Sequence, residues 1–479
     1  MIKKKTNSLI IIFFGLFISI YLTINNINKY DINVLNKDGK YYHQMIKYDT
    51  FNYSRHGNEI KNQLKEGVNF FKTGREHYTK YLPSRLLALY YYFFDYELFD
   101  KSEKFINTGI HLNFLILQNL FYYLSILILF FSLRRSINSN VLLIIIFFLS
   151  FEPNLIQYHG TFWSESVFFS LQILLISLIL RPKLTITSSF FIGLILALLS
   201  LQKEYAIFYI IPILIFLIIF FKKKLLINTI ILFIGFFLIL SILGFNNYLR
   251  SGNFYLMTAT TKTDLHMLLV DQVVSKKLNL KAFEFEENEG KAVKLWINNN
   301  SIEMFENLDD ENLSSYNKPT LWIYRSFIKN ENDKIKLDEF IQKRSFEYIL
   351  KYPFDFFIHI IKKSFHITLL NPFHIYSDHN FKSGEIYYLS ETHKELIPYR
   401  ISYSLIIYLI SLYGIFILIR EKKYKILIFS TLSIIYFFAP VSWHGNTRYF
   451  LPSYLYFSLF FGFAIENLIL SKIKRIKLI

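Results

Sequence analysis

The chain is organised around long blocks of apolar residues, most of them roughly as long as a bilayer-crossing helix. A helix needs about 20 residues to cross about 30 Å of hydrocarbon. Across the 479 residues, hydrophobic residues make up 53% and charged residues only 19%, with a mean hydropathy of +0.31. This composition excludes a soluble globular enzyme. The pattern predicts an all-α polytopic membrane protein.

Ten segments are candidate transmembrane helices. They are residues 8–24, 110–133, 141–157, 166–180, 187–203, 205–221, 225–245, 401–420, 424–441 and 449–470. The first follows Lys3, Lys4 and Lys5, and no small-residue cleavage site comes after it, so we expect an uncleaved signal anchor.

The distribution of charge predicts the orientation of these helices. With the N-terminus inside, the inward segments contain 18 Lys and Arg residues and one acid, Glu421. They therefore account for the whole net charge of +17, as the positive-inside rule requires, and nucleic acid is not needed to explain it. We expect a multi-pass protein of the inner (plasma) membrane with both termini in the cytoplasm.

Two long segments, 25–109 and 246–400, then lie outside the cytoplasm. We divide the chain into an N-terminal transmembrane module (1–245) that carries the first loop, an external region (246–400), and the C-terminal transmembrane helices (401–479). Residues 271–340 are the most polar part of the chain and carry mixed charge, and we predict that they form a small helical insert. Residues 86–99 and 353–370 are aromatic, apolar and interrupted by charge, which favours helices at the membrane interface.

The sequence gives no support for a cofactor. It has no cysteine, which excludes disulfides and thiolate ligands. The external histidines, among them His159 and His444, do not repeat a ligand spacing, so we interpret them as scattered surface or interface residues. A divalent metal is conceivable, but no acidic cluster near Asp38 supports one.

A carboxylate and two tyrosines lie just beyond the first span. The sequence there is Asn36-Lys37-Asp38-Gly39-Lys40-Tyr41-Tyr42. An acid held above the membrane edge, followed by aromatic residues that can lie in the interface, suits work on a lipid-linked substrate. The alternative interpretation of Asp38-Gly39 is a turn.

This arrangement resembles the GT-C class of glycosyltransferases, which includes protein O-mannosyltransferases and the aminoarabinose transferases of lipid A. The resemblance continues at Pro153 and Glu165, in the hairpin between spans three and four. It extends to the Gln202-Lys203-Glu204 turn and to a C-terminal segment that begins at His444 and contains Gly445-Asn446-Thr447-Arg448-Tyr449. Glu152 has no counterpart in the class pattern. The mannosyltransferases carry an Asp-Glu pair where this chain has Asp38-Gly39, so the second acid of that pair is missing here.

The resemblance implies an inverting transfer of a sugar from a polyprenyl-phosphate donor to an extracytoplasmic glycan, lipid or protein acceptor. Asp38 would be the general base, and Glu165 would orient the sugar or the acceptor. Lys203 and Arg448 would bind the phosphate. The remaining candidate substrate-binding residues are Tyr41, Tyr42, His444 and Tyr449.

Each of these residues also has a structural interpretation. Glu165 could cap a helix, Lys203 could snorkel to the interface, and Arg448 could be a cation-π anchor. Two other functions remain open, an O-antigen polymerase or ligase and a lipid-linked oligosaccharide flippase. The early acid-bearing loop argues against the former, and the nearly charge-free spans argue against the latter.

Overall fold

The computed structural model describes most of the chain. The described residues are 2–30, 34–35, 41–42, 49–74, 81–95, 109–160, 164–221, 225–256, 265–305, 320–370, 397–444 and 447–476. Apart from one pair of two-residue strands, their regular structure is almost entirely helical. This confirms the prediction of an all-α membrane protein.

The described residues of the N-terminal module form ten α-helices and the short strand pair. They are α1 (Ile2–Tyr30), β1 (Val34–Leu35), β2 (Tyr41–Tyr42), α2 (Asp49–Lys65), α3 (Tyr81–Phe93), α4 (Gly109–Leu133), α5 (Ser139–Phe151), α6 (Pro153–Ile156), α7 (Glu165–Ile179), α8 (Ile186–Gln202), α9 (Ile210–Phe220) and α10 (Leu225–Ser251). A 3₁₀ turn, Glu204–Tyr209, leads into α9.

The remainder of the chain is also helical. After a π-helical turn at His266–Val270 come α11 (Asp271–Lys277), α12 (Ala282–Asn299), α13 (Thr320–Phe327), α14 (Glu331–Lys351), α15 (Pro353–Leu370), α16 (Ile397–Arg420), α17 (Tyr424–His444) and α18 (Pro452–Ile476). The described residues between 271 and 340 are mostly helical, and the small external insert predicted there stays a prediction.

Helices occupy all ten predicted spans, but they differ in length. Five are long and apolar enough to cross a bilayer by themselves: Thr6–Asn25, Leu112–Leu133, Leu225–Arg250, Ile401–Arg420 and Tyr424–Ser442. Three shorter apolar helices, Glu165–Ile179, Ile186–Gln202 and Glu204–Phe220, lie between them in the chain. The number of ten spans stays a prediction.

The third predicted span is broken. Helix α5 ends at Phe151, and the following helical segment, Pro153–Gly160, is bent from it by 45°. Proline has no backbone N–H and therefore cannot donate the hydrogen bond that would continue α5, so Pro153 begins the new segment instead. The Glu152 carboxylate caps this segment by accepting from the backbone N–H of Asn154 at 3.4 Å.

Glycine brings two apolar helices into direct backbone contact. A Cβ on Gly193 of α8 would lie 2.0 Å from the carbonyl oxygen of Leu232 in α10, and one on Gly235 of α10 would lie 2.3 Å from that of Phe190. Small residues at such crossings allow helices in a membrane to pack by van der Waals contact, where the hydrophobic effect contributes little between them.

The beginning of the second long segment is attached to the first. At the end of α10, Arg250 donates through Nη1 to the carbonyl oxygen of Gly74 at 3.0 Å. Arg85 of α3 donates to the neighbouring carbonyl of Thr73 at 3.0 Å, and Asn246 donates to that of Phe71 at 2.7 Å. The two predicted external segments therefore meet at the same end of the helical bundle.

The insert is held by buried polar pairs as well as by apolar contacts. Arg325 and Asp338, both about 1% exposed or less, form a two-bond pair at 2.8 and 2.9 Å. Arg344 forms a second fork on Glu289. Burial raises the pKa of Glu289, but the hydrogen bonds from Arg344 and His266 outweigh it and lower the pKa to about 2.

Helix α15 has the bounds predicted for a membrane-surface helix. It carries an exposed apolar stripe that includes Phe354, Phe357 and Phe365. Its other side packs against α16 and α17, and the Tyr408 hydroxyl donates to the carbonyl oxygen of Thr368 at 3.1 Å. This amphipathic distribution fits the interface, which stays a prediction for α15 and for the 86–99 segment, where α3 ends at Phe93.

We expect Gly193→Ala to destabilise the protein although alanine favours helices. The new Cβ would overlap the carbonyl oxygen of Leu232, and overpacking typically costs about 1–3 kcal/mol. The measurement is the apparent midpoint of thermal unfolding of the purified protein. Ile234→Ala, at a 51% exposed position on α10, is the control and should behave like the wild type. Equal midpoints for Gly193→Ala and the wild type would contradict this packing.

Candidate functional site

Three turns of the chain meet at one end of the bundle. Helix α7 begins after Ser164, helix α8 ends at Gln202, and the turn Thr447–Tyr449 precedes α18. The Gln202 side chain donates to the carbonyl oxygen of Ser164 at 2.9 Å and so ties the end of α8 to the start of α7. Side chains from these three turns form the most highly charged buried cluster of the transmembrane part that the structure describes.

A carboxylate lies at the centre of this cluster. Glu165, in the first turn of α7, forms an ion pair with the Nζ atom of Lys203. The Nε atom of Arg448 lies 3.9 Å from the same carboxylate oxygen. The side chains of Lys203 and Glu165 are 0% and 1% exposed, whereas that of Arg448 is 14% exposed. Arg448 is thus the member of the cluster whose side chain reaches the protein surface.

Aromatic rings surround the two cations. The Tyr449 ring lies between them, with its centroid 4.9 Å from the Nζ of Lys203 and 5.2 Å from the Cζ of Arg448. The rings of Phe168 and Tyr205 lie 5.7 and 6.0 Å from the Nζ of Lys203. Ring faces attract cations, so they offset part of the lost hydration of Lys203.

The arrangement has a clear electrostatic consequence. A buried charge is stable only when it is paired, and removing one partner of a buried pair costs about 3–5 kcal/mol. The three side chains together carry a formal charge of +1, since two cations face one carboxylate. A group with one negative charge, such as a phosphodiester, would complete the neutralisation.

The predicted site residues are only partly brought together. Glu165, Lys203, Arg448 and Tyr449 form the cluster. Tyr41 and Tyr42 form strand β2, which pairs antiparallel with β1 and brackets residues 36–40 in the sequence. Asp38 lies outside the described residues. His444 is the last residue of α17, so the chain position places it three residues before the Arg448 turn.

Several polar residues near the cluster were not recognised from the sequence. Glu152 accepts from the Tyr403 hydroxyl at 2.6 Å and from the Asn154 amide at 2.7 Å. The placement of His159 at the surface was wrong. It is fully buried, and its Nδ1 lies 2.7 Å from the Ser166 hydroxyl.

Arg85 and Arg250 form a second cationic group in the two segments predicted to be external. The guanidinium of Arg85 stacks on the Tyr81 ring at 3.9 Å, and burial and the Arg250 charge lower its pKa to about 10, with Tyr81 opposing them. Tyr81 also lines a small pocket together with Ser200 and Glu204, which flank the Lys203 turn. The first segment predicted to be external therefore packs beside the cluster.

No group of three or more His, Asp or Glu residues that could hold a metal ion occurs within the described ranges. The ligand set of a divalent metal therefore cannot be assigned from these residues, and the cluster itself contributes a single carboxylate.

The comparisons with known proteins concern the fold. No family model and no curated protein sequence matches the chain. Among solved structures, the fold is similar to the archaeal oligosaccharyltransferase AglB from Archaeoglobus fulgidus, solved in complex with an inhibitory peptide and a dolichol-phosphate. The TM-score is 0.50 and the sequence identity 14%; the match covers 97% of this chain but 50% of the AglB chain. This chain therefore has a GT-C-like membrane fold and spans half the length of that protein.

The ion pair can be tested by a double-mutant cycle. Lys203→Met leaves a buried carboxylate and Glu165→Gln leaves a buried ammonium, so each should destabilise the protein by about 3–5 kcal/mol. The double variant removes both charges and should be more stable than either single variant. The measurement is the apparent unfolding midpoint of the four proteins. Additive losses in the double variant would show that the two groups do not interact.

Proposed function

We propose that this protein is a membrane glycosyltransferase that moves a sugar from a polyprenyl-phosphate donor to an acceptor outside the cytoplasm. The cluster of Glu165, Lys203 and Arg448 carries the proposal, because it has a net positive charge and lies at the end of the bundle that we predict to face outward, where a lipid phosphate would bind. The GT-C-like fold supports the reaction class, since the AglB structure with this fold holds a dolichol-phosphate.

The members of the cluster have different tasks in this proposal. Arg448 binds the donor phosphate, because its side chain is partly exposed and its guanidinium can donate two parallel hydrogen bonds. Lys203 is fully buried on Glu165 and adds positive charge beneath the phosphate. Glu165 keeps both cations in place, and it comes within reach of the sugar only if the ion pair opens.

The chemistry assigned to Asp38 follows from an inverting transfer. The acceptor hydroxyl attacks the anomeric carbon, its proton passes to the Asp38 carboxylate, and the bond to the phosphate oxygen breaks with its electron pair. Arg448 and Lys203 stabilise the negative charge that grows on this leaving phosphate. No covalent nucleophile is required in such a transfer.

The choice of acceptor remains part of the proposal. Protein O-mannosyltransferases and aminoarabinose transferases of lipid A, which the sequence resembles, differ in both sugar and acceptor. The lipid-linked sugar that accumulates in cells lacking this protein would identify the donor, and that lipid fraction then serves as the donor in the turnover assay of Asp38→Asn below.

We expect Asp38→Asn to lose most turnover while the protein still folds and binds the donor lipid. Asparagine is nearly isosteric but cannot take the proton, and loss of a positioned general base typically costs about 100- to 10,000-fold in rate. Asp31→Asn, which changes an acid seven residues earlier, is the matched control. More than about a tenth of wild-type turnover would refute the base assignment. Loss of folding instead would favour a turn-forming role for Asp38.

We expect Arg448→Lys to weaken donor binding by about tenfold and to leave acceptor binding unchanged. A lysine keeps the charge but loses one arm of the fork, and hydrogen bonds to charged groups contribute about 1.5–3 kcal/mol. Binding is measured by titrating the purified protein with undecaprenyl phosphate. Arg420→Lys, at the opposite end of the bundle, is the control. A change confined to acceptor affinity would contradict the assignment.

A further inference from the structure

A groove lies at the end of the bundle opposite the candidate site. It has a volume of about 360 Å³, which falls within the range of about 300–1,000 Å³ of small-molecule sites. Helices α4, α7 and α8 line it, around the turn between Ile179 and Ile186. Since Glu165 is at the other end of α7, the groove opens at the predicted cytoplasmic membrane edge.

The end of the groove nearest this turn is polar. Its lining residues there are Arg181, Thr185, Thr187 and Ser188. Arg181 donates to the Ser132 hydroxyl at 3.3 Å, and no carboxylate pairs with it anywhere in the described part of the chain. The Nζ of Lys425 donates to the backbone carbonyl oxygen of Arg181 and so fixes the turn from the neighbouring inward loop.

The rest of the groove is apolar and extends into the membrane. Leu174 of α7 lies seven residues before Arg181, and Ile195 of α8 lies seven residues after Ser188, so each is about 10 Å deeper. Ile128 and Phe191, which also line the groove, are 37% and 48% exposed, so it is open on the side that faces lipid.

We infer that this groove binds an anionic phospholipid of the cytoplasmic leaflet. The lipid phosphate would accept hydrogen bonds from the Arg181 guanidinium and from the hydroxyls of Thr185 and Thr187. The part of an acyl chain nearest the head group would then lie along Leu174 and Ile195. Charge complementarity selects an anionic lipid, because Arg181 lies among cations predicted to face inward and pairs with no carboxylate of the described residues. A soluble phosphate would leave the apolar part unfilled. This inference is independent of the proposed function.

The test measures lipid binding by native mass spectrometry of the full-length protein in detergent. Dioleoyl phosphatidylglycerol should bind at least about tenfold more tightly than dioleoyl phosphatidylcholine, and glycerol phosphate should not compete, because a charged hydrogen bond and the chain contacts both contribute. Equal binding of the two lipids, or effective competition by glycerol phosphate, would overturn the proposal.

Two variants locate the site. Arg181→Gln should weaken phosphatidylglycerol binding by about tenfold. Lys183→Gln removes a charge from the same turn at an exposed position that does not line the groove, so it is the matched control and should change binding by less than about twofold. Equal losses in both variants would show diffuse surface attraction and overturn the site. Leu174→Trp fills the apolar part without changing charge and should also weaken binding; unchanged binding in this variant would overturn the site even if Arg181→Gln failed to fold.

Discussion

The ion pair between Glu165 and Lys203 constrains the end of the bundle where α7 begins and α8 ends. Both side chains are almost completely buried, and an isolated charge in such surroundings is far less stable than a paired one. The start of α7 and the end of α8 must therefore stay together. Arg448 adds a third chain segment to the same carboxylate, although it comes 283 residues after Glu165 in the sequence. One carboxylate thus couples the position of the C-terminal turn to that of the N-terminal module.

Much of the helical architecture could be predicted from the sequence because its cause is local. Apolar blocks of bilayer length favour helices, and a helix occupies each of the ten predicted segments. The break at Glu152 and Pro153 was missed, although an acid followed by proline is a recognisable helix start. The apolar residues continue on both sides of this break, so hydropathy alone does not reveal it.

The candidate site was predictable only in part, because its geometry depends on contacts between distant turns. The sequence placed Glu165, Lys203 and Arg448 at one membrane edge but did not pair them. The structural interpretation of Lys203 as a snorkelling residue was wrong, since its side chain has no exposed surface. The cation-π interpretation of Arg448 agrees with its position beside Tyr449, and it is compatible with phosphate binding because the guanidinium edge can still donate.

The two ends of the bundle hold their cations in different ways. At the end predicted to face outward, Lys203 and Arg448 share a buried carboxylate, and aromatic rings enclose them, so a ligand must match a preformed charge distribution. At the end predicted to face the cytoplasm, Arg181 has a hydroxyl and backbone contacts around it, in a groove with exposed apolar walls. A buried and partly neutralised site selects its ligand by geometry, because desolvation makes each misplaced charge expensive. A partly exposed cation at the end of an apolar groove selects only for a negatively charged head group and an acyl chain. This is the selectivity expected of a site for a structural lipid rather than of a substrate site.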